Sequence, residues 1–466
     1  MKALDVLEAC IKFPERVFRR VILPAVRALD GLSIWQMYVF LIPFRIGLLL
    51  LTKPFIALEN DTATYSTQFS GDIFHGIIDP IRTPLYPLFI KIFSFGGESY
   101  GSGFIWVMVW QNIISLISVW FMWKLLKRVT NSKRARAIGT LFYGASPMLI
   151  QANKYILTES LSISLSTILI YLLVRHIQKP RCRTAAVISV YAFLLIMLRP
   201  SFLTIFAVIL AFWMLKLIID RADWRASLTG LAAGGLCVAL LFTYVQANSA
   251  QNDCNSLTYV EICANQTMNL MNARLVENPY YPEITEYIKA IPSYLDGSYY
   301  MAAWEPLEYF PASQIEAYVK STIALHKTDY IKYIVGNLGK ALLEPTAHFL
   351  PLDVSGTITE DMFEPYIPLL TFVFLSSFIP MGVTAFIALI NMLVIIIKRI
   401  RKGPLDWIGL GLSVCVISHI ITIAIGSPED HARLFLPIVP FAIALYALVF
   451  TQDWCKKILR KAYLIK

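Results

Sequence analysis

Residues 201–219 read SFLTIFAVILAFWMLKLII, a run in which Lys216 is the only charged side chain. A helix of about 20 apolar residues is long enough to cross the roughly 30 Å hydrocarbon core of a bilayer. Arg199 and Pro200 come directly before the run and Asp220 directly after it, so both ends are polar or helix-breaking. The stretch predicts a transmembrane helix, and the pattern recurs along the chain.

The composition agrees with a membrane protein. Of 466 residues, 57% are hydrophobic and only 15% are charged, and the mean hydropathy is +0.61. An ordinary soluble domain is about 45–50% apolar and roughly 25% charged. We therefore expect an all-α polytopic membrane protein with about ten transmembrane helices. The ten apolar runs are 34–56, 104–126, 137–153, 155–174, 184–199, 201–219, 226–246, 366–397, 404–426 and 432–451.

The basic residues predict how the chain crosses the membrane. The net charge of +10 comes from short clusters between the apolar runs, an arrangement that argues against a nucleic-acid partner. Cytoplasmic loops of membrane proteins carry an excess of Lys and Arg. If the N-terminus is cytoplasmic, the basic clusters fall inside and the acidic loops fall outside. We therefore expect both termini in the cytoplasm and a location in the bacterial inner (plasma) membrane.

The runs and loops divide the chain into five predicted segments. They are a cytoplasmic amphipathic segment (1–33), a seven-helix catalytic module with an outer loop at 57–103 (34–246), an extracytoplasmic loop subdomain (247–365), three C-terminal transmembrane helices (366–451) and a basic cytoplasmic tail (452–466).

Two cysteines, Cys254 and Cys263, fall on the predicted outer side. A disulfide is chemically allowed in an oxidising compartment. The sequence leaves a disulfide and two free thiols equally open.

The first outer loop carries closely spaced ionisable residues. Glu59 and Asp61 lie one residue apart where the chain leaves the first run, and residues 82–87 read RTPLYP. Acids near helix ends commonly act as caps, and an arginine at the interface can simply contact lipid headgroups. Ionisable groups at membrane depth are nevertheless candidates for function.

Further ionisable residues reach the same predicted side. Glu159 opens the fourth run, Arg199 closes the fifth, and His431 and Arg433 lie in the turn into the tenth. Glu159 could merely favour a helix N-terminus, and Arg199 could extend its guanidinium to the interface. Arg433 is harder to explain in this way, because arginines are biased towards the cytoplasmic side. The set predicts a polar site at the outer membrane edge.

Attack on a sugar attached to a lipid phosphate is the chemistry that fits these residues. Phosphate is a good leaving group, so the reaction needs a carboxylate that takes the proton of the acceptor. It also needs arginines that hold the phosphate. A single carboxylate base with attack opposite the leaving group inverts the anomeric carbon.

At these residues the chain resembles the GT-C class of polytopic glycosyltransferases. The most similar branch contains aminoarabinose transferases, protein O-mannosyltransferases and bacterial cell-surface polymer enzymes. The matching features are Glu-Asn-Asp at 59–61, the turn at 82–87, Thr-Glu-Ser-Leu at 158–161 and Arg-Pro at 199–200. The resemblance covers about residues 34–220, and the rest of the chain matches in layout.

The resemblance implies a GT-C-like architecture and a role for each matching residue. Asp61 is similar to the catalytic base and Glu59 to its partner acid. The signature is Glu-x-Asp instead of Asp-x-Asp, so both acids remain candidates for the base. The residues expected to contact the donor phosphate or the substrate are Arg82, Tyr86, Glu159, Arg199, His431 and Arg433.

The sequence therefore predicts an inverting glycosyltransferase of cell-envelope glycans. It would move a sugar from a polyprenyl-phosphate donor to a glycan, lipid or protein acceptor on the extracytoplasmic face. No cofactor is required, although Glu59, Asp61, Glu159 and His431 include the ligand types of a divalent metal.

Two alternatives remain open. A flippase or transporter for a lipid-linked glycan would place charged groups at the midplane between related halves. A glycan polymerase or ligase would place paired arginines in the long loop, where basic residues are sparse.

Overall fold

The computed structural model describes residues 29–51, 56, 58, 60–69, 76–95, 102–220, 223–259, 263–343, 380–401, 403–428 and 431–461. Over these ranges the chain forms helices, turns and loops, without a β-strand. The predicted all-α class is confirmed.

The first half of the chain supplies helices α1 to α10. Their bounds are α1 Ile34–Leu51, α2 Asn60–Thr67, α3 Leu85–Phe93, α4 Ser102–Val129, α5 Lys133–Ala145, α6 Pro147–Gln151, α7 Glu159–Gln178, α8 Cys182–Leu198, α9 Leu203–Ile219 and α10 Trp224–Asn252.

The loop subdomain, defined here as the described residues between 253 and 343, follows α10. Its helices are α11 Asn265–Asn272, α12 Pro282–Ala290, α13 Pro292–Leu295, α14 Tyr299–Ala302, α15 Pro306–Tyr309, α16 Ala312–Leu325 and α17 Lys327–Leu343. The C-terminal helices are α18 Met381–Ile400, α19 Trp407–Gly426, α20 His431–Phe435, α21 Val439–Thr451 and α22 Asp453–Lys461.

Seven segments of the described chain are long and apolar enough to cross a membrane, so the protein is an integral membrane protein. Helices α1 and α8 are also apolar but shorter. Together these elements overlap nine of the ten predicted runs. The seven segments are Gly103–Val129, Glu159–Gln178, Pro200–Ile219, Trp224–Asn252, Met381–Ile400, Trp407–Gly426 and Arg433–Thr451.

The remaining predicted run, 137–153, is not one helix. It is divided between α5 and α6 at Ser146, whose backbone is non-helical at φ −58° and ψ 114°. The residue before a proline is disfavoured in the helical region, and Pro147 then occupies the first turn of α6, where its missing N–H costs nothing. The prediction of a continuous span was wrong because it passed over this proline.

Close packing joins α8, α9 and α10 where Gly230 of α10 faces Trp213 of α9. A Cβ added to Gly230 would come within 2.8 Å of the indole ring, so only glycine allows this approach without a shift of the ring. The Ser189 hydroxyl of α8 donates to the Gly230 carbonyl at 2.8 Å and accepts from Trp213 Nε1 at 3.2 Å. Both polar side chains therefore have partners, as buried polar groups require. We call the described residues before 253 and after 379 the membrane module.

The loop subdomain has its own apolar core, built from residues such as Leu270, Ile288, Ile315 and Tyr318. Cys254 and Cys263 are both buried, and neither forms a disulfide. The disulfide that the sequence left open is therefore absent from this structure.

Two predicted features lie wholly or largely outside the described residues. They are the amphipathic surface helix of 1–33, which is described only from residue 29, and the first part of the predicted run 366–397.

Candidate functional site

A cavity of about 760 Å³ lies between one end of the membrane helices and the loop subdomain. Five of its lining side chains are ionisable groups of the membrane module that the sequence singled out. They come from α2, the segment before α3, the start of α7, the end of α8 and α20. These residues are Asp61, Arg82, Glu159, Arg199 and Arg433.

Asp61 lies in the first turn of α2 and pairs with two arginines. Its Oδ1 accepts from Arg82 Nη2 at 2.6 Å, and its Oδ2 lies 3.7 Å from Arg433 Nη2. Burial by itself raises the pKa of this carboxyl, but the guanidinium of Arg82 and then that of Arg433 outweigh burial. The pKa of Asp61 therefore lies below its usual value, and the side chain is an anion at neutral pH.

Arg82 is held at both its backbone and its side chain. Asp79 Oδ1 accepts from the backbone N–H groups of Ile81 and Arg82 at 2.7 and 2.9 Å. The Arg82 Nε donates to Thr64 Oγ1 at 3.0 Å, and the guanidinium carbon lies 4.6 Å from the centre of the Tyr65 ring. These contacts fix the guanidinium beside Asp61 and leave little freedom for it to reorient.

Glu159 joins the other two arginines. Its Oε1 lies 3.1 Å from Arg199 Nη1 and 3.6 Å from Arg433 Nε. The Glu159 side chain is only 3% exposed, and its Oε2 has no hydrogen-bond partner in the described structure. Because a buried carboxylate needs compensation, Glu159 is best understood as the anchor that holds Arg199 and Arg433 in the cavity wall.

Arginines outnumber acids among the described side chains of this cluster. Three guanidiniums and two carboxylates line the membrane-module wall of the cavity. Arginine forks match the geometry of carboxylates and phosphates. The cluster is therefore suited to an anionic group, and Asp61 lies beside it as a potential proton acceptor.

The loop subdomain holds the end of α19, just before the turn that carries Arg433. Gln266 Nε2 and Asn269 Nδ2 of α11 donate to the Ile425 carbonyl at 3.1 and 2.9 Å. The last carbonyls of a helix have no partner within the helix, so these amides satisfy an acceptor that the helix itself leaves open.

Asn337 of α17 completes this arrangement. Its Nδ2 donates to the carbonyls of Ala424 and Ser427 at 2.7 and 2.8 Å. We call Gln266, Asn269 and Asn337 the amide clamp. The clamp links the loop subdomain to the helix end that precedes Arg433.

Tyr86 and His431 do not line the cavity. Tyr86 is fully buried, and its hydroxyl donates to Gln111 Oε1 at 2.8 Å. His431 is also buried, with Nε2 3.1 Å from the Ser427 carbonyl oxygen. The resemblance implied that both residues contact the donor phosphate or the substrate. Their side chains instead turn into the protein, and we assign them packing roles.

Tyr86→Phe should lower stability and leave ligand affinity at the cavity unchanged. The substitution removes the donor to the buried Gln111 Oε1, a loss that costs about 1–3 kcal/mol. Thermal unfolding of the purified protein measures this effect. Weaker ligand binding without any loss of stability would instead place the hydroxyl on the ligand.

Sequence reasoning missed Thr64, Tyr65 and Asp79. Tyr65 lies four residues after Asp61 on α2, a spacing that places two side chains on one helix face. That spacing could have identified Tyr65, whereas the Asp79 turn has no comparably specific signal.

The predicted partner acid, Glu59, lies outside the described residues. Elsewhere, among the residues that are described, no three His, Cys, Asp or Glu side chains converge as a metal site would require. The participation of Glu59 and of a divalent metal stays a prediction.

Residues 77–300 match the family model described as a domain of unknown function (DUF6311). This segment is a little under half of the chain. It includes Arg82, Glu159 and Arg199, whereas Asp61 and Arg433 lie outside it. The chain matches none of the curated proteins.

Proposed function

We propose that the protein is an inverting glycosyltransferase of the GT-C type. It moves a sugar from a polyprenyl-phosphate donor to an acceptor on the extracytoplasmic face of the membrane. The observation that carries this proposal is the position of Asp61. An ionised carboxylate lies 2.6 Å from Arg82, in a cavity at the ends of apolar helices whose described lining has more arginines than acids in its membrane-module wall.

The arginines bind and stabilise the leaving group in this proposal. Arg82, Arg199 and Arg433 surround the phosphate of the donor, while its polyprenyl chain lies among the helices. Fixed positive groups aimed at developing negative charge are a major source of catalysis. They stabilise the polyprenyl phosphate as the bond between the anomeric carbon and the phosphate oxygen breaks and its electron pair goes to that oxygen.

Asp61 acts as the general base. It takes the proton of the acceptor hydroxyl or amine while the acceptor atom attacks the anomeric carbon from the face opposite the phosphate. One new glycosidic bond forms, one sugar–phosphate bond breaks, and the configuration inverts. Glu159 does not react; it keeps Arg199 and Arg433 in place.

Donor binding would also prepare the base. Arg82 is the strongest stabiliser of the Asp61 anion, and it lowers the pKa of that carboxyl. A phosphate that shares the guanidinium weakens this stabilisation, so the pKa of Asp61 rises. The carboxylate is therefore a better proton acceptor when the donor is present.

The membrane topology is part of the proposal. The seven candidate spans, the shorter helices α1 and α8 and the broken pair α5–α6 together give ten crossings. The N- and C-termini then lie in the cytoplasm of a bacterial plasma membrane, and the cavity opens on the opposite side. No cofactor is needed, because the guanidiniums supply the charge stabilisation that the phosphate requires.

A deletion strain tests this function. Mass spectrometry of its surface glycans should show the loss of one sugar and the accumulation of the matching lipid-linked sugar. Wild-type protein should restore the sugar, and the Asp61→Asn variant should not. If the lipid-linked glycan accumulates only on the cytoplasmic side, the protein acts as a flippase. If the surface glycan chains become shorter but keep every type of sugar, the protein acts as a polymerase or ligase.

A further inference from the structure

We propose that the loop-subdomain wall of the cavity is a carbohydrate-binding subsite, and that the acceptor of the transfer is therefore a glycan. This inference extends the proposed function, because it chooses among the glycan, lipid and protein acceptors that the sequence left open. It depends on a difference between the two walls of the cavity.

The wall formed by the loop subdomain presents neutral polar groups. Amides, hydroxyls and one indole line it, in contrast to the arginines and acids of the membrane module. The exception is Lys320, whose ammonium pairs with Glu316 Oε1 at 2.8 Å. The neutral polar residues are Asn255, Ser256, Thr258, Asn265, Gln266 and Trp304.

Two of these groups are available to a ligand. The Asn265 amide and the Trp304 indole N–H make no hydrogen bond to any described residue, although both side chains line the cavity. Gln266, in contrast, already uses its amide in the clamp and accepts from the Tyr330 hydroxyl. Asn265 and Trp304 therefore offer one amide, one N–H donor and one aromatic face.

A sugar matches this set of groups. An amide both donates to and accepts from hydroxyls, and an aromatic ring with a polar N–H suits a ligand with apolar C–H faces and hydroxyl edges. One common way to hold an extended polypeptide is to add it to an exposed strand edge, and the described loop subdomain consists of helices and loops without a strand. A free glycan and a glycan on a lipid anchor present the same sugar groups, and either form matches the polar groups of this wall.

Ligand-observed NMR on the full-length protein in lipid nanodiscs tests the subsite. The probes are the methyl glycosides of glucose, galactose, mannose and N-acetylglucosamine. We expect at least one to show saturation transfer, and Trp304→Ala or Asn265→Ala to raise its Kd about 5–10-fold, as loss of a neutral hydrogen bond predicts.

Matched controls lie in the same subdomain but away from the cavity lining. Tyr280→Ala removes an aromatic ring that is 72% exposed, and Asn272→Ala removes an amide at the other end of α11. Both should leave glycoside binding unchanged. Competition by the same sugar on a lipid anchor in the nanodisc shows whether the anchored form binds more tightly than the free glycoside.

The proposal is wrong if none of the four glycosides binds, or if the Trp304 and Asn265 variants bind them as well as wild type. Short serine- or threonine-containing peptides that bind in a Trp304-dependent way would identify a polypeptide acceptor instead. Since this measurement contains no donor, its failure is distinct from a failure of the proposed transfer reaction.

A second, independent observation concerns the amide clamp. We infer that Asn337 is a positioning residue for Arg433 and thus, within the proposed function, for the donor phosphate. Its two hydrogen bonds fix the carbonyls of Ala424 and Ser427. Arg433 follows Ser427 by six residues, and its guanidinium lies within 3.7 Å of the carboxylates of Asp61 and Glu159.

The chain contains a matched control for this inference. Asn391 of α18 is also buried, and its Nδ2 donates to the Gly409 carbonyl at 3.1 Å and to Ser413 Oγ at 3.0 Å near the other end of α19. Asn337→Leu and Asn391→Leu should therefore lower the thermal unfolding midpoint by similar amounts. Only Asn337→Leu should slow single-turnover donor cleavage, by about tenfold or more, as expected when a phosphate contact is misplaced.

Asn337→Gln keeps the amide N–H donor and should recover part of the rate. If Asn337→Leu fails to fold, Asn269→Ser provides a milder change in the amide clamp. Equal rates of donor cleavage in the two leucine variants would overturn the inference, because Asn337 would then be structural only.

Discussion

Asp61→Asn should reduce sugar transfer by about 10²–10⁴-fold, the range that a general base contributes. The amide has nearly the same shape, and its oxygen can still accept from Arg82, but it cannot take a proton from the acceptor. The fold should survive, because the substitution keeps the shape of the side chain and leaves an oxygen that accepts from Arg82. Initial rates with saturating donor and acceptor measure the loss.

Asp296→Asn is the control for this experiment, because Asp296 is an exposed residue of the loop subdomain outside the cavity lining. It should keep the wild-type rate. If Asp61→Asn also keeps that rate, Asp61 is not the base, and Glu59 becomes the remaining acid of the signature.

Arg82→Ala should weaken donor binding and move the pH dependence of the reaction. A charge-assisted hydrogen bond is worth about 1.5–3 kcal/mol, so the donor KM should rise about 10–150-fold. Without Arg82, less positive charge offsets the effect of burial, and the pKa of Asp61 rises. The acid limb of kcat/KM, where Asp61 becomes protonated and inactive, should therefore shift to higher pH.

Arg134→Ala is the matched control for Arg82→Ala. Arg134 also pairs with an aspartate, with Nη2 2.8 Å from Asp30 Oδ2, but the pair is exposed and outside the cavity. This variant should change neither the donor KM nor the pH profile. An Arg82 variant with an unmoved acid limb would show that Arg82 does not stabilise the Asp61 anion in the working enzyme.

The sequence predicted the class of fold and most of the charged cluster for one physical reason. An ionisable side chain at the end of an apolar helix must find a partner or reach water. Glu159, Arg199 and Arg433 stand at such ends, Asp61 and Arg82 lie in the loop that follows the first apolar run, and the structure brings all five to one cavity. That these residues lie together could be expected from the sequence. Which of them pair with one another could not, because some partners are more than 370 positions apart in the chain.

Other features could not be read from the sequence. Tyr86 belongs to the same RTPLYP stretch as Arg82, but Tyr86 lies in α3 and Arg82 precedes that helix, and only tertiary packing decides which of the two side chains meets the cavity. The amide clamp could not be predicted either. An Asn or Gln in a polar loop gives no sequence signal that distinguishes a side chain capping a helix from one in contact with solvent. The break at Ser146 could be predicted from Pro147, but hydropathy alone gives no sign of it.

The most direct test of the central claim is donor cleavage by the purified protein. Lipid-linked sugar extracted from the deletion strain, in which the donor should accumulate, is mixed with proteoliposomes and acceptor glycan, and free polyprenyl phosphate is measured by mass spectrometry. Wild-type protein should release polyprenyl phosphate in step with formation of a glycoside of inverted configuration, and Asp61→Asn should release almost none. Movement of the intact lipid-linked sugar across the bilayer without release of polyprenyl phosphate would contradict the account.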